Sequence, residues 1–166
     1  MLPHLDAAYN LARWITRNDH DAQDVVQEAV LRAYRFFGGL RGEPKPWLLA
    51  IVRNSCFSWL QVNRPADLAG FDDRVVETPA AEEDGPEAQT MRAVDRRMLN
   101  DAIAALPAQF REVLVLRELE DLSYKEIARV ADVPIGTVMS RLARGRRLLA
   151  EFVRAVSRAA ETRVDR

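Results

Sequence analysis

Three observations in the sequence predict an all-α chain of two small helical domains on an acidic tether. Apolar residues recur at helical spacing over about 4–62 and again over about 95–160. Between them, residues 63–94 carry Pro65, Gly70, Pro79, Gly85 and Pro86 among dense acids, with no sustained period. The net charge of −1 also conceals a reversal along the chain. Eight acids, Asp67, Asp72, Asp73, Glu77, Glu82, Glu83, Asp84 and Glu87, face Arg74 and Arg92 in the middle. From Pro134 to Arg158, six arginines face Glu151 alone. A basic end and an acidic centre point to a polyanionic partner for one part of the molecule.

In the first domain, Leu5, Ala8, Tyr9, Ala12 and Ile15 form one stripe. Asn18-Asp19 offers an N-cap, and Val25, Val26, Ala29, Val30, Ala33, Phe36 and Phe37 continue as a second helix that Gly38-Gly39 ends. Pro46 suits the first turn of a third helix bearing Trp47, Leu48, Ile51, Val52, Phe57 and Leu60. In the second domain, Met98, Leu99, Ala102, Ile103 and Leu106 precede Pro107, and Phe110, Val113, Leu114, Leu116 and Leu119 follow it. Two further helices are expected over about 123–130 and 134–156.

Those last two carry the sharpest signal. Ser123 with Glu126 three positions on is a capping box. Ile127, Ala128 and Ala131 supply a buried side, Asp132-Val133-Pro134 the turn, and Ile135, Val138, Leu142, Leu149 and Phe152 the inward face of a second helix. Thr137, Met139, Ser140, Arg141, Arg144 and Arg147 are left facing outward, where a helix-turn-helix meets the major groove. Arginine can grip guanine bidentately, and serine and threonine can reach bases or phosphates. Arg146 and Arg147 are placed for phosphates, which predicts salt-dependent binding.

Other classes of function find little in the composition. A glycine-rich phosphate loop, a metal-ligand cluster and a nucleophile with a partnered base are all missing, so neither an enzyme nor a cofactor or small-molecule substrate is expected. Cys56 cannot form an internal disulfide and is expected to be packed. No apolar run approaches the roughly 18 residues a membrane span needs, and the start lacks a signal peptide's pattern. A cytoplasmic protein without membrane insertion is expected. The first helix begins abruptly at His4.

The segment from Asp21 to Arg35 resembles the polymerase-binding helix of sigma-70 family sigma factors, and Pro46-Trp47-Leu48-Leu49-Ala50-Ile51-Val52-Arg53-Asn54 resembles the next helix, which reads the −10 promoter element. Ala105-Leu106-Pro107, Arg111-Glu112-Val113, Tyr124-Lys125-Glu126-Ile127-Ala128 and Gly136 to Leu142 are similar to the domain that reads the −35 element. Short length, with nothing between the blocks, matches the extracytoplasmic-function (ECF) group. The resemblance implies region 2 over 1–62, a linker over 63–94 that threads the polymerase cleft, and region 4 over 95–166. It implies docking of Asp24, Gln27, Glu28 and Arg32 on the β′ coiled coil of core RNA polymerase, and −10 contacts from Phe37, Arg41, Lys45, Trp47, Arg53 and Asn54. The same resemblance puts −35 contacts on Thr137, Met139, Ser140, Arg141, Arg144 and Arg147, and makes promoter DNA and an anti-sigma protein partners. Two departures stand out: Arg64 is the one basic residue of Gln61-Val62-Asn63-Arg64-Pro65, and Met139 stands where some relatives have arginine. The competing reading is a stand-alone helix-turn-helix regulator, which predicts duplex binding without polymerase.

Overall fold

Local chemistry starts and stops each helix of the protein, whose computed structural model describes residues 2–39, 42–68 and 96–164. Helix α1 (Leu5–Thr16) ends where Arg17 turns left-handed at φ 61°. Helix α2 (Asp19–Arg35) is capped by Asn18, whose side chain accepts from the Asp21 amide at 3.1 Å. Asp19 and Asp21 in its first turn complement the positive end of the helix dipole. Helix α3 (Pro44–Asn63) begins two residues before Pro46, with both prolines where missing N–H groups cost nothing. These three pack on one another through Leu11, Ile15, Val25, Ala29, Leu48, Val52, Cys56 and Leu60, all buried.

The stripe expected for α2 holds through Ala33 and then fails. The helix stops at Arg35, so Phe36 and Phe37 leave its buried side and stand 66% and 50% exposed. Gly38 and Gly39 form a short 3-10 turn with Phe37 and do not supply a left-handed cap. At its other end α3 extends through Asn63, and Pro65–Asp67 adds a further turn, so helical structure continues past residue 62. The acidic stretch 69–95 lies outside the described residues.

The second half builds α4 (Arg96–Ala104) and α5 (Ala108–Leu114), which runs into a π-helical stretch, Val115–Leu119. Then come α6 (Tyr124–Ala131) and α7 (Ile135–Val164). The Ser123 side chain accepts from the Glu126 amide and the Glu126 carboxylate accepts from the Ser123 amide, completing the capping box. Asp132 closes α6 at φ 55°, and Val133 packs into the core as the plug of the turn. Val138, Leu142 and Leu149 are buried on α7, whereas Ile135, expected inward, is 48% exposed at the helix start, ahead of the face that packs.

Candidate nucleic-acid interface

Three surfaces carry the residues singled out above. On α2, Asp24, Gln27, Glu28 and Arg32 are all exposed, on the opposite side from Ala22, Val25, Ala29 and Ala33. Spacings of three and four produce this ridge, and Arg32 pairs with Glu28 at 2.8 Å along it. Leu31 and Tyr34 add exposed apolar area beside it.

The second surface gathers around the start of α3. Phe37 meets Trp47 edge-on, with ring centroids 6.3 Å apart, and Asn54 is exposed one residue after Arg53. Arg41 lies outside the described residues. The cations here have acidic partners from the second half of the chain. Lys45 Nζ lies 3.3 Å from the Glu120 carboxylate and donates to the Glu120 main-chain oxygen at 3.0 Å. Asn10 Nδ2 donates to the other Glu120 carboxylate oxygen at 3.0 Å. Arg53 Nε donates to both oxygens of Glu112, at 3.2 and 3.1 Å, while its guanidinium lies 3.9 Å from the Phe57 ring centroid. Sequence reasoning missed both acids, because they are distant in the chain from the cations they meet.

Burial tunes this contact. Glu112 is fully buried, and desolvation pushes its carboxyl up to about 7 against the opposing pull of Arg53, Arg141 and Arg111. Cys56 is packed as expected, and burial, helped by the Glu112 charge, raises its thiol to about 12. Arg111 donates to Leu106 O at 2.7 Å in its own half and to Ile15 O at 2.9 Å at the end of α1. Arg64 donates to Thr16 O at 3.0 Å, so two guanidiniums satisfy carbonyls that helix geometry leaves open. Burial lowers Arg111 to about 10.

The third surface is the start of α7, entered through a capped α6 and a tight turn. Thr137, Met139, Ser140 and Arg144 are half-buried and Arg147 is exposed. The Ser140 hydroxyl donates back to Gly136 O at 2.9 Å, and Arg144 lies 5.5 Å from the Phe110 ring centroid. Arg146 pairs with Glu118 at 2.9 Å instead of standing open. Arg141 needs a correction: it is 6% exposed, turned inward close enough to Glu112 to act on its charge, and does not share the outward face.

The fold and these surfaces define a helix-turn-helix protein with a second helical module. Residues 2–65 match the family description "Sigma-70 region 2" and residues 96–149 match "Sigma-70, region 4". The ECF RNA polymerase sigma-E factor of Haemophilus influenzae is 37% identical over 150 residues, covering 84% of this chain and 77% of that one. The RNA polymerase sigma-H factor of Pseudomonas aeruginosa is 36% identical over 157 residues, covering 88% and 81%. Among solved structures, Bartonella quintana RpoE, crystallised with the anti-sigma factor NepR, superposes with a TM-score of 0.69 over 92% of this chain and 93% of that one. At 24% identity, that likeness establishes the fold. The chain belongs to the sigma-70 family of RNA polymerase sigma factors, in its extracytoplasmic-function group. It directs transcription initiation as a polymerase specificity factor, not as a stand-alone regulator, in a family of non-catalytic initiation factors. No helix among the described residues is long and apolar enough to cross a membrane.

Proposed function

We propose that the chain divides this work between region 2 over residues 1–62 and region 4 over 95–166, with 63–94 as the linker inside the polymerase. The exposed α2 ridge docks on the β′ coiled coil through Asp24, Gln27, Glu28 and Arg32. Phe37, Arg41, Lys45, Trp47, Arg53 and Asn54 bind the opened −10 element. There a displaced base stacks against aromatic walls, offsetting the few kcal/mol that unstacking costs. Thr137, Met139, Ser140, Arg144 and Arg147 read or hold the −35 element, and Arg141 joins them only if it swings out of its present position. The observation that carries this division is one chain combining an exposed charged ridge on α2, a cation-and-aromatic patch at the start of α3, and a capped helix-turn-helix.

The protein has no enzymatic activity of its own and works in the cytoplasm, where polymerase and chromosome are. An anti-sigma protein covering both domains is its regulator, a reading supported by the relative crystallised with NepR. Core polymerase mixed with the purified chain and a promoter library tests the assignment. Transcripts that start downstream of two shared, separated elements are expected. Initiation indifferent to either element would refute the division of labour.

A further inference from the structure

We propose that the chain reads its −35 element in part through thymine methyl groups, gripped by an apolar row, Ile135, Met139 and Ala143, along the first turns of α7. This rests on the −35 assignment above and names the chemistry of the bases it takes. The three residues follow one another at intervals of four, so they line up along one side of the helix, about 6 Å apart. Ile135 is 48% exposed, and Met139 and Ala143 are half-buried, so the row runs from the open tip of the recognition helix along the border of its packed side. None of the three carries a hydrogen-bond donor, and the Met139 thioether accepts only weakly. Base edges in the major groove offer one apolar counterpart to such a row, the C5-methyl of thymine. A cytosine in the same place would present an N4 amino donor that the row leaves unpaired.

The residues beside the row favour duplex DNA as its occupant. Gly136, Ser140 and Arg144 form the adjacent row, again at intervals of four. Gly136 brings no side chain, and open space surrounds the point where a Cβ would stand. The Ser140 hydroxyl donates back to Gly136 O at 2.9 Å, so its proton is already used within the helix. The middle of the outward face is therefore low, and base edges can approach it closely. Arg144, 5.5 Å from the Phe110 ring centroid, and the exposed Arg147 follow on the next turns and supply positive charge for phosphates. An apolar strip bordered by small residues and arginines suits a groove lined with methyls and walled by phosphates. At 1.5 Å per residue the row is about 12 Å long, at most about four base steps of about 3.4 Å, so the thymines it reads form one short cluster.

Deoxyuridine tests this without altering the protein, because it keeps the O4 acceptor of thymine and lacks only the methyl. Holoenzyme is assembled from the full chain and core polymerase, and a −35 element is selected from a promoter library. Each thymine of that element is then replaced in turn by deoxyuridine in synthetic duplex. At thymines facing the row, the holoenzyme concentration for half-maximal open-complex formation should rise roughly three- to four-fold per methyl removed, the worth of one buried methyl group. Met139→Ala should weaken use of the unmodified promoter and erase the deoxyuridine penalty at one thymine, whereas Met139→Leu should keep it. Deoxyuridine tolerated at every thymine overturns the proposal, as does a selected element without thymine or a penalty that persists unchanged in Met139→Ala. Silent deoxyuridine together with poor core polymerase capture by Met139→Ala would give the row to a protein partner and overturn it equally. If changing the −35 base pairs themselves leaves initiation intact, the −35 assignment fails. A promoter that needs those pairs yet ignores the missing methyls spares that assignment and refutes the apolar readout alone.

Discussion

Arg53 donates from Nε to both carboxylate oxygens of Glu112 across the boundary between the three N-terminal helices and the helix-turn-helix unit. The arginine side chain is 16% exposed and the glutamate fully buried. A buried pair of this kind gains little over apolar packing, yet losing one partner leaves a charge stranded in the interior, at roughly 3–5 kcal/mol. The contact is thus better suited to specifying one arrangement, and to releasing it, than to adding stability.

Removing the arginine should therefore part the two halves. Arg53→Ala removes both hydrogen bonds to Glu112, whose buried carboxyl then takes up a proton, and is expected to loosen the contact, seen as a larger radius of gyration in small-angle X-ray scattering. Arg53→Met combined with Glu112→Leu should remain compact. An unchanged radius in the single variant would count against the interface.

Proton concentration should act on the buried Glu112 carboxyl. The Glu112 carboxyl rises from an ordinary value of 4.5 when exposed to about 7 when buried, with Arg53 and Cys56 facing it from α3, Arg111 beside it and Arg141 from α7. A raised value means the folded chain binds the proton more tightly than the unfolded one. Its contribution is complete below about pH 4.5 and is lost as pH climbs through 7. Denaturant unfolding between pH 5 and 8 should show stability falling with rising pH, and Glu112→Gln should flatten that dependence. A Glu112-dependent gain in stability over this window would contradict the assigned sign.

On the recognition helix, Arg144→Ala should lower −35-dependent initiation while leaving core binding intact. Arg147→Ala at its exposed site should weaken binding about equally across sequences and reduce the salt slope by about one. Wild-type initiation by Arg144→Ala would remove it from the reading set.

Core docking is separable from folding. Asp24 is exposed on α2, so Asp24→Arg should weaken core polymerase capture with a change of at most about 0.5 kcal/mol in stability. A pull-down with normal affinity would discredit the ridge.

Much of the fold was legible because it is written locally. The Ser123–Glu126 box, the Asn18 cap and the buried rows of α2 and α7 each follow from residues within a turn or two of one another. Phe36 and Phe37 misled because periodicity does not say where a helix stops, and α2 ends one residue before them. The inward turn of Arg141 and the acids facing Lys45 and Arg53 were illegible for a different reason: they depend on how two domains meet, which no spacing encodes.

Promoter selection is checked by assembly: purified chain, free of any inhibitor, is mixed with bacterial core RNA polymerase and a promoter library, and transcript starts are mapped. A stable holoenzyme should form and initiate behind two separated elements, and only when this chain is present. A chain that does not join core polymerase, or that joins it without conferring any promoter preference, would contradict it.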